Sequence, residues 1–591
     1  MTTVNQPDPV VVEVIRNRLA SVLFAGSIAL KRAAYSTVIT EADDFSIAIF
    51  DTRCQLVAQL DQLPIFLGAM PEPLRTFVDK FSYDEMQPGD VYISNDPFTA
   101  GGTHKNDINI MVPVFVQGIL RLLVMSKAHW SDIGGKSPGS WSPDATTSFE
   151  EGLSIPSIRL IKAGQLNQDV LDLVLANTRL QTNNKGDLLA QISGCHVVIR
   201  GLDELFRKYD WELFSAVYNT ILDRTEALVR RHISDIPDGV YRGFEQVDDD
   251  GVNSGPIPID LDVIIEGSSL TVDFSRCPPQ ADGACGNSSY ARTLSMVRTA
   301  VRSLTAINVP SNEGYFRPIR VVAPPGSVVH PVAPAPVTLG NHVARALREA
   351  IVSALSQAIP DRVVAGQFGG ALTMIMSGAD TARNREFIYV SPYAGGWGAG
   401  CRHDGTFPLM MLEGGRMRNV PCEVVEQLYP LRVESYALRP DSGGPGEWRG
   451  GLGIQTDLLV LAPELRLSVA MDRHRFPAPG LFGGENGAHS RLFVHDGNQD
   501  WREITKVAGY RLSRGSLISH RSGGGGGFGP PRARDPARVL ADVVAGYVTP
   551  ESARDRFGIV IVDGQVDAEN SKSLREGQVE PSPRRRRPAG L

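Results

Sequence analysis

Two histidines in the first third of the chain are each followed, three residues later, by an aspartate: His104-Lys-Asn-Asp107 and His129-Trp-Ser-Asp132. Imidazole and carboxylate together form a ligand set that suits zinc, manganese or iron. Either pair alone arises by chance, so the elements that position them decide whether they matter. Residues 108–116 and 119–128 read as two strands joined by a Gln117-Gly118 turn. In such a hairpin the residue before the first strand lies beside the residue after the second. With the turn at 117–118, Asp107 falls opposite about residue 128 and His104 opposite about residue 131. His104, Asp107 and His129 are therefore expected to converge as a mononuclear metal site. A second hairpin, 45–50 and 55–60 around Asp51-Thr-Arg53, brings Asp44 to the same edge as fourth ligand. Glu41 and Asp43 are close rivals for that place. Asp132 is expected to orient a ligand histidine or relay a proton, the one catalytic role assigned. The bland alternative is a set of polar loop residues capping strand ends.

The remaining pattern gives the setting. At 591 residues the chain is too long for one core, and two to four domains are expected. Its 59 glycines and 40 prolines imply many turns. We expect an α+β, multidomain, β-rich fold with N-terminal and mid-chain helices. An amphipathic helix is read over 8–37, helices within 160–235 (169–180 and 202–233 firmest), strands from 236, and a helix over 341–358. Short helices are read over 535–546 and 550–557. The expected units are 1–235 carrying the metal site, 236–515 β-rich, 516–562 with a glycine-rich loop, and a disordered tail over 563–591. The net charge of −7, with no basic stripe, argues against nucleic acid. Six scattered cysteines form no C-x-x-C pair. No signal peptide and no uninterrupted apolar run of about 18 residues is present, so a cytoplasmic, membrane-free setting is expected.

Four further motifs are weaker. Gly134-Gly-Lys-Ser137 lacks the earlier glycine of a phosphate-binding loop, since Trp130 stands there. Asp441-Ser-Gly-Gly-Pro445 resembles a serine-protease loop but has no matching histidine segment upstream. The five-glycine run 523–527 reads as a flexible connector or close-packed turn rather than a phosphate cradle. Arg584–Arg587 reads as a solvated tail.

Many motifs in one order carry a family resemblance. They include Glu41-Ala-Asp-Asp-Phe-Ser46, Ser94-Asn-Asp-Pro97, Gly101-Gly-Thr-His-Lys-Asn-Asp107 and Ala128-His-Trp-Ser-Asp-Ile-Gly-Gly135. Glu151-Gly-Leu153, Asp187-Leu-Leu-Ala-Gln191, Asn312-Glu-Gly314, Asp441-Ser-Gly-Gly444, Arg449-Gly-Gly451 and 523–529 follow. The chain resembles the B-type subunit of the hydantoinase/oxoprolinase family, which includes acetone and acetophenone carboxylases. The resemblance implies metal ligands at Asp44, His104, Asp107 and His129 and one divalent ion, zinc or manganese. It also implies an A-type partner subunit that binds ATP and magnesium and phosphorylates the substrate oxygen. Its favoured reaction is hydrolysis of a cyclic amide by metal-activated water. A ketone-carboxylase subunit and a non-catalytic scaffold are the alternatives. Departures are Asn106 where proline is usual, Gly529-Pro-Pro531 where Gly-Asp-Pro is usual, and a loop Phe98-Thr-Ala-Gly-Gly102 one residue longer than common forms.

Overall fold

Strand pairing in the N-terminal third follows from alternating burial on two sides. In the computed structural model, which describes residues 7–576 except 61, 306–307, 370–372, 416 and 498–499, seven strands form one antiparallel sheet. They are Phe45–Asp51 (β1), Leu56–Gln59 (β2), Val91–Ser94 (β3), Asp107–Val116 (β4), Ile119–His129 (β5), Ile158–Lys162 (β6) and Gln165–Leu166 (β7), in the order β2-β1-β5-β4-β3-β6-β7. Every residue of β1 is buried because both faces of the sheet are covered. Ile47, Ile49, Ile110 and Val124 face one core with Leu19, Val22 and Val198 of the helices Pro9–Ala33 (α1) and Gln181–Lys208 (α2). Their neighbours Ala48, Phe50, Met111, Leu123 and Met125 face a second core. That core is shared with the four-stranded sheet 239–322 and the helices Tyr290–Thr305 (α3) and Asn341–Leu355 (α4). It therefore runs across residue 235 without a break.

The expected α+β class is observed. The Gln117-Gly118 turn is in place, both residues having positive φ (53° and 77°). The long N-terminal helix ends at Ala33, and a short helix, Thr37–Thr40, follows. Residues 160–166, expected to begin a helical region, instead lie in β6 and β7 at the sheet edge. The helix α3 is absent from the expectations above, although Leu294, Val297, Val301 and Leu304 repeat at helical spacing. Residues 563–576, expected as tail, carry the strand Gln565–Asp567 and the helix Ala568–Glu576. The arginine run at 584–587 lies outside the described residues. Among the described residues no helix is long and apolar enough to cross a membrane.

The C-terminal half joins two further sheets through close backbone contact. The glycine run 523–527 is buried and extended, each amide from Gly524 to Gly527 donating to a carbonyl of another segment: Ala488, Gly451, Gly366 and Glu485. A Cβ on Gly525 would lie 2.0 Å from the Trp397 carbonyl oxygen, and one on Gly526 equally close to that of Pro479. The run is thus neither a connector nor a turn but a layer of main chain pressed between other main chains. We predict that Gly525→Ala yields insoluble or unfolded protein. Expression followed by circular dichroism checks this, since backbone on both sides leaves no flexible atom to yield.

Candidate metal centre

A single bulge sets the register at the site. Val116 pairs with Ile119 and Phe115 with Leu120, but Val114 pairs with Leu122. The extra residue on β5 shifts every later pair by one. Asp107 therefore lies directly opposite His129, not residue 128 as a bulge-free hairpin requires. On the other side of β5, Phe45 pairs with Ala128, and the Asp44 carbonyl accepts the His129 backbone N–H at 3.1 Å. His104 arrives on the turn before β4, where the Asp107 N–H donates to its carbonyl. Close backbone approach shapes that loop: a Cβ on Gly102 would lie 2.2 Å from the Asn95 carbonyl oxygen.

The result is a compact group. His104 Nε2 lies 3.0 Å and His129 Nδ1 3.3 Å from the same Asp107 oxygen, Oδ1. All three side chains are buried, and their ligand atoms lie within 4.8 Å of one another. A tetrahedral site with bonds of about 2.0–2.1 Å separates its ligand atoms by about 3.3 Å, so the spacing fits a metal ion. Among the described residues this is the group of three or more His, Cys, Asp or Glu side chains that could hold one. Asp44 stands outside that tight group but lines the same small cavity, of about 60 Å³. Its rival Asp43 has φ of 62° and pairs with Lys31 and Arg418 instead. Glu41 is not among the residues lining the cavity.

Burial sets the electrostatics. It pushes the Asp44 carboxyl up to about 7 and the His104 imidazole down to about 4. Burial also opposes charge on Asp107 and His129, but the His104 and then the His129 imidazole outweigh it for Asp107, and the Asp107 carboxylate outweighs it for His129. Asp107 is held well below the usual carboxylate range, and His129, helped by Asp44, is raised above 6.5. The second Asp107 oxygen accepts the Thr103 hydroxyl, which in turn lies 3.3 Å from the buried Lys127 ammonium. The guanidinium of Arg292, on α3, also lines the cavity. It donates to the Val337 carbonyl, while its buried Nε has no hydrogen-bond partner. Leu63, Phe66, Trp141, Met410, Met411 and Met417 supply apolar wall.

Asp132 takes another place. Its carboxylate accepts the backbone N–H groups of Gly134, Gly139 and Arg179 and the Arg179 guanidinium, at 2.8–3.1 Å. Those partners saturate it, and it does not line the cavity. The expectation that it orients a ligand imidazole or relays a proton therefore gives way to one of holding the loop after β5. Asn106, noted as a departure, has a related role. Its side-chain amide donates to the Trp130 and Gly139 carbonyls, tying the His104 loop to the same segment.

A stripe on α2 braces these segments. Asn184 donates to the Asp132 carbonyl at 2.7 Å, and Asp187 accepts the Tyr35 and Ser36 N–H groups. Gln191 accepts the Trp130 indole N–H and donates to the Ile108 carbonyl, both at 3.0 Å. Spacings of three and four place the three buried side chains on one helix face.

The family model described as Hydantoinase B/oxoprolinase matches residues 8–531. The chain is 32% identical to the beta subunit of caprolactamase from Pseudomonas jessenii, covering 95% of this chain and 98% of that one. It is 30% identical to a putative D-/L-hydantoinase B-type subunit of a Pseudomonas species, strain NS671, covering 97% and 99%. The crystal structure of the ATP-dependent caprolactamase from Pseudomonas jessenii superposes with a TM-score of 0.92 at 30% identity, covering 97% of this chain and all of that one.

Three outcomes are predicted. His104→Ala and His129→Ala each abolish stoichiometric binding of zinc or manganese, measured by metal analysis after dialysis. Acidification releases metal, because protons compete for the ligand nitrogens and the carboxylates beside His129 favour its protonated form; equilibrium dialysis at falling pH reads this. Asp132→Asn lowers the thermal midpoint by an amount matching about 1.5–3 kcal/mol, leaving metal content of the folded protein intact.

Proposed function

The chain belongs to the hydantoinase B/oxoprolinase family, and we propose that it is the metal-carrying B-type subunit of an ATP-dependent cyclic-amide hydrolase. The carrying observation is the convergence of His104, Asp107 and His129 in a buried cavity whose other walls are largely apolar. An amide resists water because resonance makes its carbonyl a poor electrophile. Phosphorylation of the oxygen removes that protection. This sequence carries no phosphate-binding loop of the G-x-x-x-x-G-K type, and in our reading an A-type partner subunit carries ATP and magnesium. The relatives named as B-type or beta subunits support such a division.

His104, Asp107 and His129, with Asp44 as fourth donor, would hold one zinc or manganese ion. Bound there, a divalent cation supplies Lewis acidity, which makes water a better nucleophile at neutral pH. The chain's own side chains do the rest. Phe66, Trp141 and the three methionines give a lactam ring an apolar seat and exclude bulk water. Arg292 offers an unsatisfied N–H to negative charge growing on the substrate oxygen. Thr103, braced by Lys127, fixes the orientation of the Asp107 carboxylate. Buried Asp44, neutral or ionised near pH 7, ionises when positive charge enters the cavity.

The test is co-purification with the partner subunit, followed by ATP-dependent ring opening across lactams, 5-oxoproline and hydantoins. We expect turnover that requires metal and falls about 1000-fold or more in His104→Ala, several kcal/mol of lost transition-state stabilisation. Full activity of the metal-free complex would make the chain a scaffold instead. ATP consumption that depends on a ketone and bicarbonate would make it a carboxylase subunit.

A further inference from the structure

The chamber that holds His104, Asp107 and His129 contains a carboxylate that is not among the proposed ligands. Glu413 lines it from the C-terminal half of the chain, beside the wall residues Met410, Met411 and Gly414. Its backbone is anchored, since the Ile65 N–H donates to the Glu413 carbonyl at 3.0 Å. Its side chain is anchored too. Buried Gln367 accepts the Leu412 N–H at 3.0 Å and donates its amide to Glu413 Oε2 at 3.2 Å. Gln367 is held in turn: its own backbone N–H donates to Glu349, which pairs with Arg348 at 2.9 Å.

Glu413 is 1% exposed, and its other oxygen, Oε1, has no hydrogen-bond partner. A buried acceptor left without a donor is costly, so it marks a place where a donor belongs once the cavity is filled. Burial pushes the Glu413 carboxyl up to about 7, although its own backbone N–H, Arg348 and Gln367 favour the charge. A donor arriving at Oε1 favours the ionised form further. Beyond the four proposed ligands, three side chains lining the chamber carry a buried polar atom without a partner among the described residues. Arg292 Nε and Trp141 Nε1 are donors, and Glu413 Oε1 is the acceptor. A secondary amide presents both a carbonyl oxygen and an N–H. A ketone of the same shape presents the oxygen alone. The two donors serve either compound, whereas Glu413 serves only the amide.

We propose that Glu413 Oε1 receives the ring N–H of the substrate and so makes the chamber selective for secondary cyclic amides over ketones of equal size. This role rests on the cyclic-amide reading above, to which it adds the rule of selection. A bound ketone would leave the carboxylate oxygen desolvated against a methylene group, a mismatch that a site built for an N–H rejects.

Calorimetric titration of the full-length chain, with zinc present, compares two pairs of rings: 2-pyrrolidinone with cyclopentanone, and ε-caprolactam with cycloheptanone. Each pair exchanges N–H for CH2 at constant ring size. At least one lactam is expected to bind about 10- to 100-fold more tightly than its ketone, the worth of one hydrogen bond to a charged group. In Glu413→Gln, the Gln367 amide keeps the new side-chain oxygen at the Oε2 position, so an NH2 donor replaces Oε1 and the preference is expected to vanish. Circular dichroism and zinc content report whether that variant folds and keeps its metal site. The comparison on the unaltered chain needs no variant and decides by itself if the variant misfolds. Ketones binding as tightly as lactams, no saturable lactam binding, or a preference that survives in folded Glu413→Gln would overturn the role of Glu413. Selective lactam binding without ATP-dependent ring opening by the complex would uphold that role and count against the hydrolase reading alone.

Discussion

One extra residue on β5, between the pairs Val114↔Leu122 and Phe115↔Leu120, determines what meets at the far end of the hairpin. Without it, Ala128 would stand opposite Asp107 and the His129 side chain would point from the wrong row. A one-residue slip inverts every side chain of a strand. Here both faces of the sheet are buried against different cores, so the slip would disrupt two packing surfaces at once. The register that serves the site is thus enforced along the whole length of β4 and β5, far from the imidazoles.

The second layer of control comes from α2. Asn184, Asp187 and Gln191 each satisfy main-chain or indole groups of segments that enter or leave the site. Each is buried, so losing one partner leaves an unsatisfied polar atom costing about 1–3 kcal/mol. Helix and loops consequently fix one another. Asp132 belongs to this supporting frame: its four contacts hold the turn that Asn106 also grips.

Much of the site was legible because hairpins convert sequence separation into spatial adjacency by a simple rule. The turn at Gln117-Gly118 and the two H-x-x-D pairs were enough to bring His104, Asp107 and His129 together. The bulge was not legible, since nothing in Val114-Phe115 or Leu120 to Leu122 distinguishes a paired residue from an extra one. Spacing could not show that a left-handed backbone at Asp43 turns its carboxylate toward Lys31. Asp132 misled because spacing cannot reveal that loop amides and Arg179 have already claimed a carboxylate. Arg292 was missed with its helix, although the apolar spacing that builds α3 was present. The class of fold followed from composition and periodicity, whereas the glycine run needed the surrounding backbone to be understood.

That glycine layer has a consequence for how such a chain can diversify. Main chain pressed on main chain has no rotamers, so it cannot repack around a new side chain. The chamber wall is the opposite: Met410, Met411 and Met417 are unbranched and adaptable. Inheritable change is therefore channelled. The glycine layer resists substitution, while a few flexible side chains of the chamber wall can be exchanged to change its size and shape.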